Sequence, residues 1–151
     1  MKQQLYKTKW MIIHCLIPLI TGGLLYILFR STNLRMFKWF SSIGLDNFIF
    51  QSRHYFLNLK YQLPNWTYYS LPDALWVYSF TSALLILWDG VISIWLIFVL
   101  FSGIFVEFAQ WINIFPGTFD ILDLIFTIMA FLFSIIIFNF KFKQNEKTIS
   151  S

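Results

Sequence analysis

From residue 61 to residue 140 the chain has no Lys, Arg or His, yet these eighty residues hold five acids: Asp73, Asp89, Glu107, Asp120 and Asp123. Most of the stretch is apolar enough to sit in a bilayer, where an uncompensated carboxylate is costly. Each acid must therefore be protonated, paired with a group distant in sequence, or paired with something outside the chain.

Composition sets the class. Of the 151 residues, 58% are hydrophobic, 22% aromatic and only 12% charged, with a mean hydropathy of +0.67. A soluble domain would average about a quarter charged residues, so the expectation is one integral membrane domain, 1–151, with an all-α fold. Cys15 is the only cysteine, so no internal disulfide can form. The +4 net charge comes from basic residues confined to 1–60 and 141–151, which read as membrane-flanking charge rather than a nucleic-acid footprint.

Four spans are expected, at about 11–29, 72–88, 91–111 and 120–140, forming a bundle of four transmembrane helices. The first is an uncharged run bounded by Lys9 and Arg30, long enough to cross a core of about 30 Å with modest help from thinning or anchoring. A cleaved signal peptide is the competing reading; the run is longer than a usual h-region and no small-x-small site follows. Pro72 suits the first turn of the second span. Asp89-Gly90 makes a very short connection to the third, and Pro116-Gly117 reverses the chain before the fourth.

Residues 30–70 hold no window of eighteen apolar residues. Basic side chains there alternate with aromatics such as Phe37, Trp39, Phe48 and Tyr55, the composition of a segment lying in the headgroup layer. One or two short interfacial helices are expected, against a merely solvated loop.

With four spans both termini share a side, which collects six basic residues in about twenty, against five spread over the long segment. That density favours cytoplasmic termini. The same topology puts Asp73, Glu107, Gln110, Asp120 and Asp123 near the face that carries the basic segment. Asp89 alone falls on the other.

Helical spacing refines this cluster. Asp120, Asp123, Thr127, Ala130 and Ser134 form one small and polar stripe, and Gly103, Glu107 and Gln110 form another, both suited to a bundle interior. Asp120 and Asp123 could simply serve a helix N-terminus after Thr118, Asp73 a first turn after Pro72, and Asp89 a turn. Glu107, late in an apolar helix, has no such structural explanation. Arg53, His54 and Arg35 are the candidate counter-charges.

The segment Glu107-x-x-Gln110, followed by Gly117-Thr118-Phe119-Asp120-x-x-Asp123, resembles the hallmark of the VanZ-like family of small bacterial membrane proteins, named for a member linked to teicoplanin resistance. The similarity covers about 107–130, with a weaker echo at Pro72-Asp73-Ala74-Leu75-Trp76. Thr118 stands where Arg is common in that family, Thr127 where Asn is, and Ala130 where Gly is. The resemblance implies a cell-envelope setting in the bacterial cytoplasmic membrane and singles out the same Glu, Gln and Asp residues. It supplies no reaction.

Two functions follow from the residues. A binding module would use Glu107, Gln110, Asp120, Asp123, Asp73 and Trp76 to hold a cationic or hydroxyl-rich, lipid-linked envelope component or a membrane protein partner. An enzyme on a lipid-linked substrate would use Glu107 as general base, with Asp120 and Asp123 holding a divalent cation through oxygen ligands. No Ser-His, His-rich or Gly-rich phosphate motif accompanies these acids.

Overall fold

The computed structural model describes residues 2–32, 34–112, 114 and 119–149, and for residues 2, 3, 35 and 140–149 the backbone alone. Among the described residues all regular structure is helical. The first run joins α1 (Lys2–Met11), a π-helical stretch (Ile12–Leu16) and α2 (Ile17–Phe29). Four short helices follow: α3 (Arg35–Ser42), α4 (Asp46–Tyr55), α5 (Leu57–Gln62) and α6 (Trp66–Tyr69). Then come α7 (Leu71–Leu87), α8 (Ile94–Trp111) and α9 (Ile121–Ile149).

Three stretches are long and apolar enough to cross a membrane: Gln4–Phe29, Ile94–Trp111 and Ile121–Asn139. They are compatible with a multi-pass membrane protein. The expected second span is the short apolar helix α7, whose 17 residues extend about 26 Å against about 30 Å for a hydrocarbon core.

Helix α7 is central rather than peripheral. It packs on α2, α8 and α9, and only Phe80 and Leu87 of its residues are exposed. A helix enclosed on several sides cannot keep one polar face, and two of its serine hydroxyls bond inward. Ser79 Oγ donates to the carbonyl of Cys15 at 2.8 Å, and the Ser82 and Ser134 hydroxyls share a bond of 2.9 Å between α7 and α9. Two glycines let the backbones approach. A Cβ on Gly22 would lie 2.9 Å from Trp76 Nε1 and 3.0 Å from the Pro72 carbonyl, and one on Gly103 would lie 2.9 Å from Thr127 Cγ2. The apolar core between these helices includes Leu85, Leu96 and Phe138.

The stripe expected on α9 faces inward: Asp123, Thr127 and Ser134 are buried and Ala130 is half-buried. Helix α8 lies at the edge, with Leu96, Glu107 and Ala109 as its buried residues. Its aromatic residues Trp95, Phe98, Phe101, Phe105 and Phe108 point away from the bundle.

Several expectations change. The first helix begins well before residue 11. The connection after α7 runs from Trp88 to Ser93 rather than over two residues, because Asp89 (φ 50°) and Gly90 (φ 82°) turn in the left-handed region and Ser93 is extended. Asp89 is more than a turn residue: Lys7 Nζ reaches its carboxylate at 2.7 Å. Residues 30–70 carry four short helices rather than one or two, since Gly44 (φ 74°) divides α3 from α4 and Pro64 precedes α6. Pro116, Gly117 and Thr118, expected to turn and cap the chain, lie outside the described residues.

Candidate functional site

The first turn of α7, the last turns of α8 and the first turn of α9 meet beside the end of α2. A cavity of about 330 Å³ lies between α2, α7, α8 and α9, and its polar wall comprises Arg30, Asp73, Trp76, Glu107, Gln110 and Thr127. That volume is at the lower end of the roughly 300–1,000 Å³ usual for small-molecule sites. Four sequence candidates, Asp73, Trp76, Glu107 and Gln110, thus share one wall.

Glu107 is only 5% exposed, and its Oε2 has no hydrogen-bond partner among the described residues. The Asp120 backbone N–H faces its carboxylate. Asp123 is equally buried, and its Oδ1 also has no partner among the described residues. A buried acceptor without a donor carries its full desolvation cost, so each of these two atoms marks a place where a donor is missing.

Arg30, at the end of α2, is the cation the acids face. Its Nη2 lies 3.6 Å from Asp73 Oδ2, and its guanidinium sits over the rings of Tyr26 and Tyr69 at 5.2 and 5.3 Å. Asp73 and Glu107 each lie within Coulombic reach of Arg30 and of Asp123. Two carboxylates of the cavity wall therefore face one guanidinium, and Asp123 lies near both of them. Trp76 stacks on Tyr26, with ring centroids 5.4 Å apart, and closes the α2 side.

The three expected counter-charges sit elsewhere. Arg53 donates to the carbonyls of Ile27 and Arg30, at 2.5 and 2.7 Å, where the last turn of α2 leaves acceptors free. Burial draws its guanidinium below the usual value, though it stays charged at neutral pH. His54 is exposed and lines, with Arg53 and Lys38, a separate groove of about 570 Å³ between α3 and α4. The Arg35 side chain lies outside the described residues. Sequence reasoning assigned Arg30 to flanking charge; its position immediately after the first span, opposite the start of the second, was the signal that it could reach Asp73.

Because Arg53 holds carbonyls and not Glu107, the double change Arg53→Gln with Glu107→Gln should be additive. Arg53→Gln alone should cost about 1.5–3 kcal/mol, the range for hydrogen bonds to a charged group. A coupling above about 0.5 kcal/mol in thermal or denaturant unfolding would contradict the assignment.

Nor do Glu107, Asp120 and Asp123 assemble the ligand set considered for a divalent cation. Asp120 Oδ1 accepts from the Leu122 N–H at 2.9 Å, so this carboxylate caps α9. Among the described residues no group of three or more His, Cys, Asp or Glu side chains is placed to hold a metal ion.

A second polar set escaped the sequence reading. In the π-helical stretch His14 Nδ1 is hydrogen-bonded with the Tyr78 hydroxyl at 2.6 Å, and the imidazole stacks on Trp10 at 4.4 Å. A π-turn, which rotates a side chain out of the ordinary helical register, has no signature in composition.

Compared with family models, curated proteins and solved structures, the chain matches none of them.

Proposed function

We propose that the chain is a VanZ-like integral membrane protein of the bacterial cytoplasmic membrane that binds a cationic envelope component in the cavity between α2, α7, α8 and α9. The observation that carries this reading is Glu107. It is 95% buried, with an acceptor atom unpartnered among the described residues, in a wall where two carboxylates face one arginine. A donor with positive charge supplies both the hydrogen bonds and the charge that are missing.

The reading takes α7 as a fourth span, supported by its enclosure among the three longer helices, which relieves it of meeting lipid on every side. It takes α3–α6 as an interfacial layer, supported by exposed Trp39, Phe48, Phe50, Tyr55 and Tyr61 beside Lys38, Arg53 and Lys60. Both termini then face the cytoplasm, and the site opens toward the opposite face. Arg30 takes the part of the arginine common at the position of Thr118 in the VanZ-like pattern.

Thermal unfolding of the purified protein with small ammonium and guanidinium compounds, against sugars and anions of matched size, tests the binding. Only the cations should stabilise, by about 2.7 kcal/mol at a hundredfold excess over Kd, and Glu107→Gln should remove the effect. Stabilisation by none of the cations sinks the proposal.

A further inference from the structure

The cavity is polar at one end and apolar at the other. Asp73 and Glu107 stand at the headgroup end. Phe80, seven residues along α7 from Asp73, and Val99, eight residues back along α8 from Glu107, lie about 10–12 Å deeper. With Val77 they make the deep wall apolar. The cavity is also open sideways: Phe80 is 52% exposed and Val106 41%, and Ser102 is exposed too, although all three line it. These residues lie well inside their helices, at depths where acyl chains would run past them. A water-soluble ligand would have no use for an apolar floor or for a door in that position.

We infer that the occupant is a membrane lipid with a primary amine in its headgroup, entering laterally between α2 and α8, its ammonium at Glu107 and its acyl chain along Val77, Phe80 and Val99. This rests on the cationic-site reading and names its ligand class. An ammonium offers three N–H donors, enough for the unpartnered Oε2 of Glu107 and for the Asp73 carboxylate on the same wall. A quaternary headgroup offers none, and an anionic head meets those two carboxylates. Arg30 fits the rest of such a lipid. Its Nε is buried with no hydrogen-bond partner among the described residues, and it stands at the headgroup end, where a phosphodiester oxygen would follow the amine.

Lipid binding to the purified full chain, read by native mass spectrometry, decides the matter with four probes. They are phosphatidylethanolamine, phosphatidylcholine, phosphatidylglycerol, and soluble phosphoethanolamine, which keeps the amine and a phosphate, as the more highly charged monoester, but has no tails. Phosphatidylethanolamine should bind about tenfold or more tighter than each of the others. Glu107→Gln should erase the preference over phosphatidylcholine. Ser102→Trp, on the exposed wall, should block the lateral opening and weaken phosphatidylethanolamine without changing the melting temperature. Equal binding of the three lipids overturns the inference, as does unimpaired phosphatidylethanolamine binding by Ser102→Trp. Phosphoethanolamine binding as tightly as the whole lipid overturns lateral entry and leaves the cationic site standing. Binding of none of the four, with Glu107→Gln silent, overturns both.

Discussion

Arg30→Met should lower the stability of the purified protein by about 2 kcal/mol, and should do so far less when Asp73 is already Asn. The estimate lies between the roughly 0–1 kcal/mol of exposed ion pairs and the roughly 3–5 kcal/mol lost when a buried charge loses its partner. The Arg30 and Asp73 side chains, 20% and 30% exposed, fall between those limits. Removing the guanidinium leaves Asp73, Glu107 and Asp123 facing one another without a cation. Neutralising Asp73 removes both the pair and one member of the repelling set, so the second change should offset the first. Unfolding of the four proteins of this cycle gives the coupling directly. If Arg30→Met costs the same in both backgrounds, its contribution is packing on Tyr26 and Tyr69 and not charge compensation.

Adjacent glycines on α2 should respond to Ala with opposite signs. In the middle of a helix Gly→Ala ordinarily stabilises by about 0.5–1 kcal/mol. Gly23, where an added Cβ meets nothing within 4 Å, should show that gain. At Gly22 the same Cβ would press on the Trp76 indole and on the Pro72 carbonyl, which is backbone and cannot rotate away. Overpacking of that kind costs about 1–3 kcal/mol, so Gly22→Ala should destabilise and Gly22→Leu should do so more strongly. Because Trp76 also lines the cavity, Gly22→Leu should weaken ligand binding as it loosens the α2–α7 contact. A stabilising Gly22→Ala would mean that α2 and α7 are not held at this separation.

How much of this could be read in advance follows from where each property resides. Asp120, Asp123, Thr127, Ala130 and Ser134 form a stripe by spacing alone, and the inward placement of Asp123, Thr127 and Ser134 needs nothing beyond helical periodicity. The sharing of one wall by Asp73 and Glu107 follows from helix order once the turns are located. By contrast, Arg53 and Arg30 carry the same charge near the same face, and in the sequence only the place of Arg30 directly after the first span sets it apart. What separates them is that the end of α2 presents free carbonyls to Arg53, while Arg30 points back along its own helix toward Asp73. Asp120 likewise has the same spacing as a metal ligand or a helix cap, and its bond to the Leu122 N–H decides between these roles.

The sequence by itself determined that the chain is helical, that its apolar runs read as four spans, of which three are helices long and apolar enough to cross a membrane, and that five acids lie in a stretch with no basic residue. Those properties belong to single segments: their length, hydropathy and charge do not depend on a neighbour. Only the tertiary structure decided that α7 is the enclosed helix, that Gly22 sets its distance from α2 and Gly103 that of α8 from α9, and that Arg30 answers Asp73. It also decided that Asp73 and Glu107 border a cavity polar at one end and apolar at the other. These depend on which faces of different helices touch, and that is settled by close packing between residues far apart in the chain.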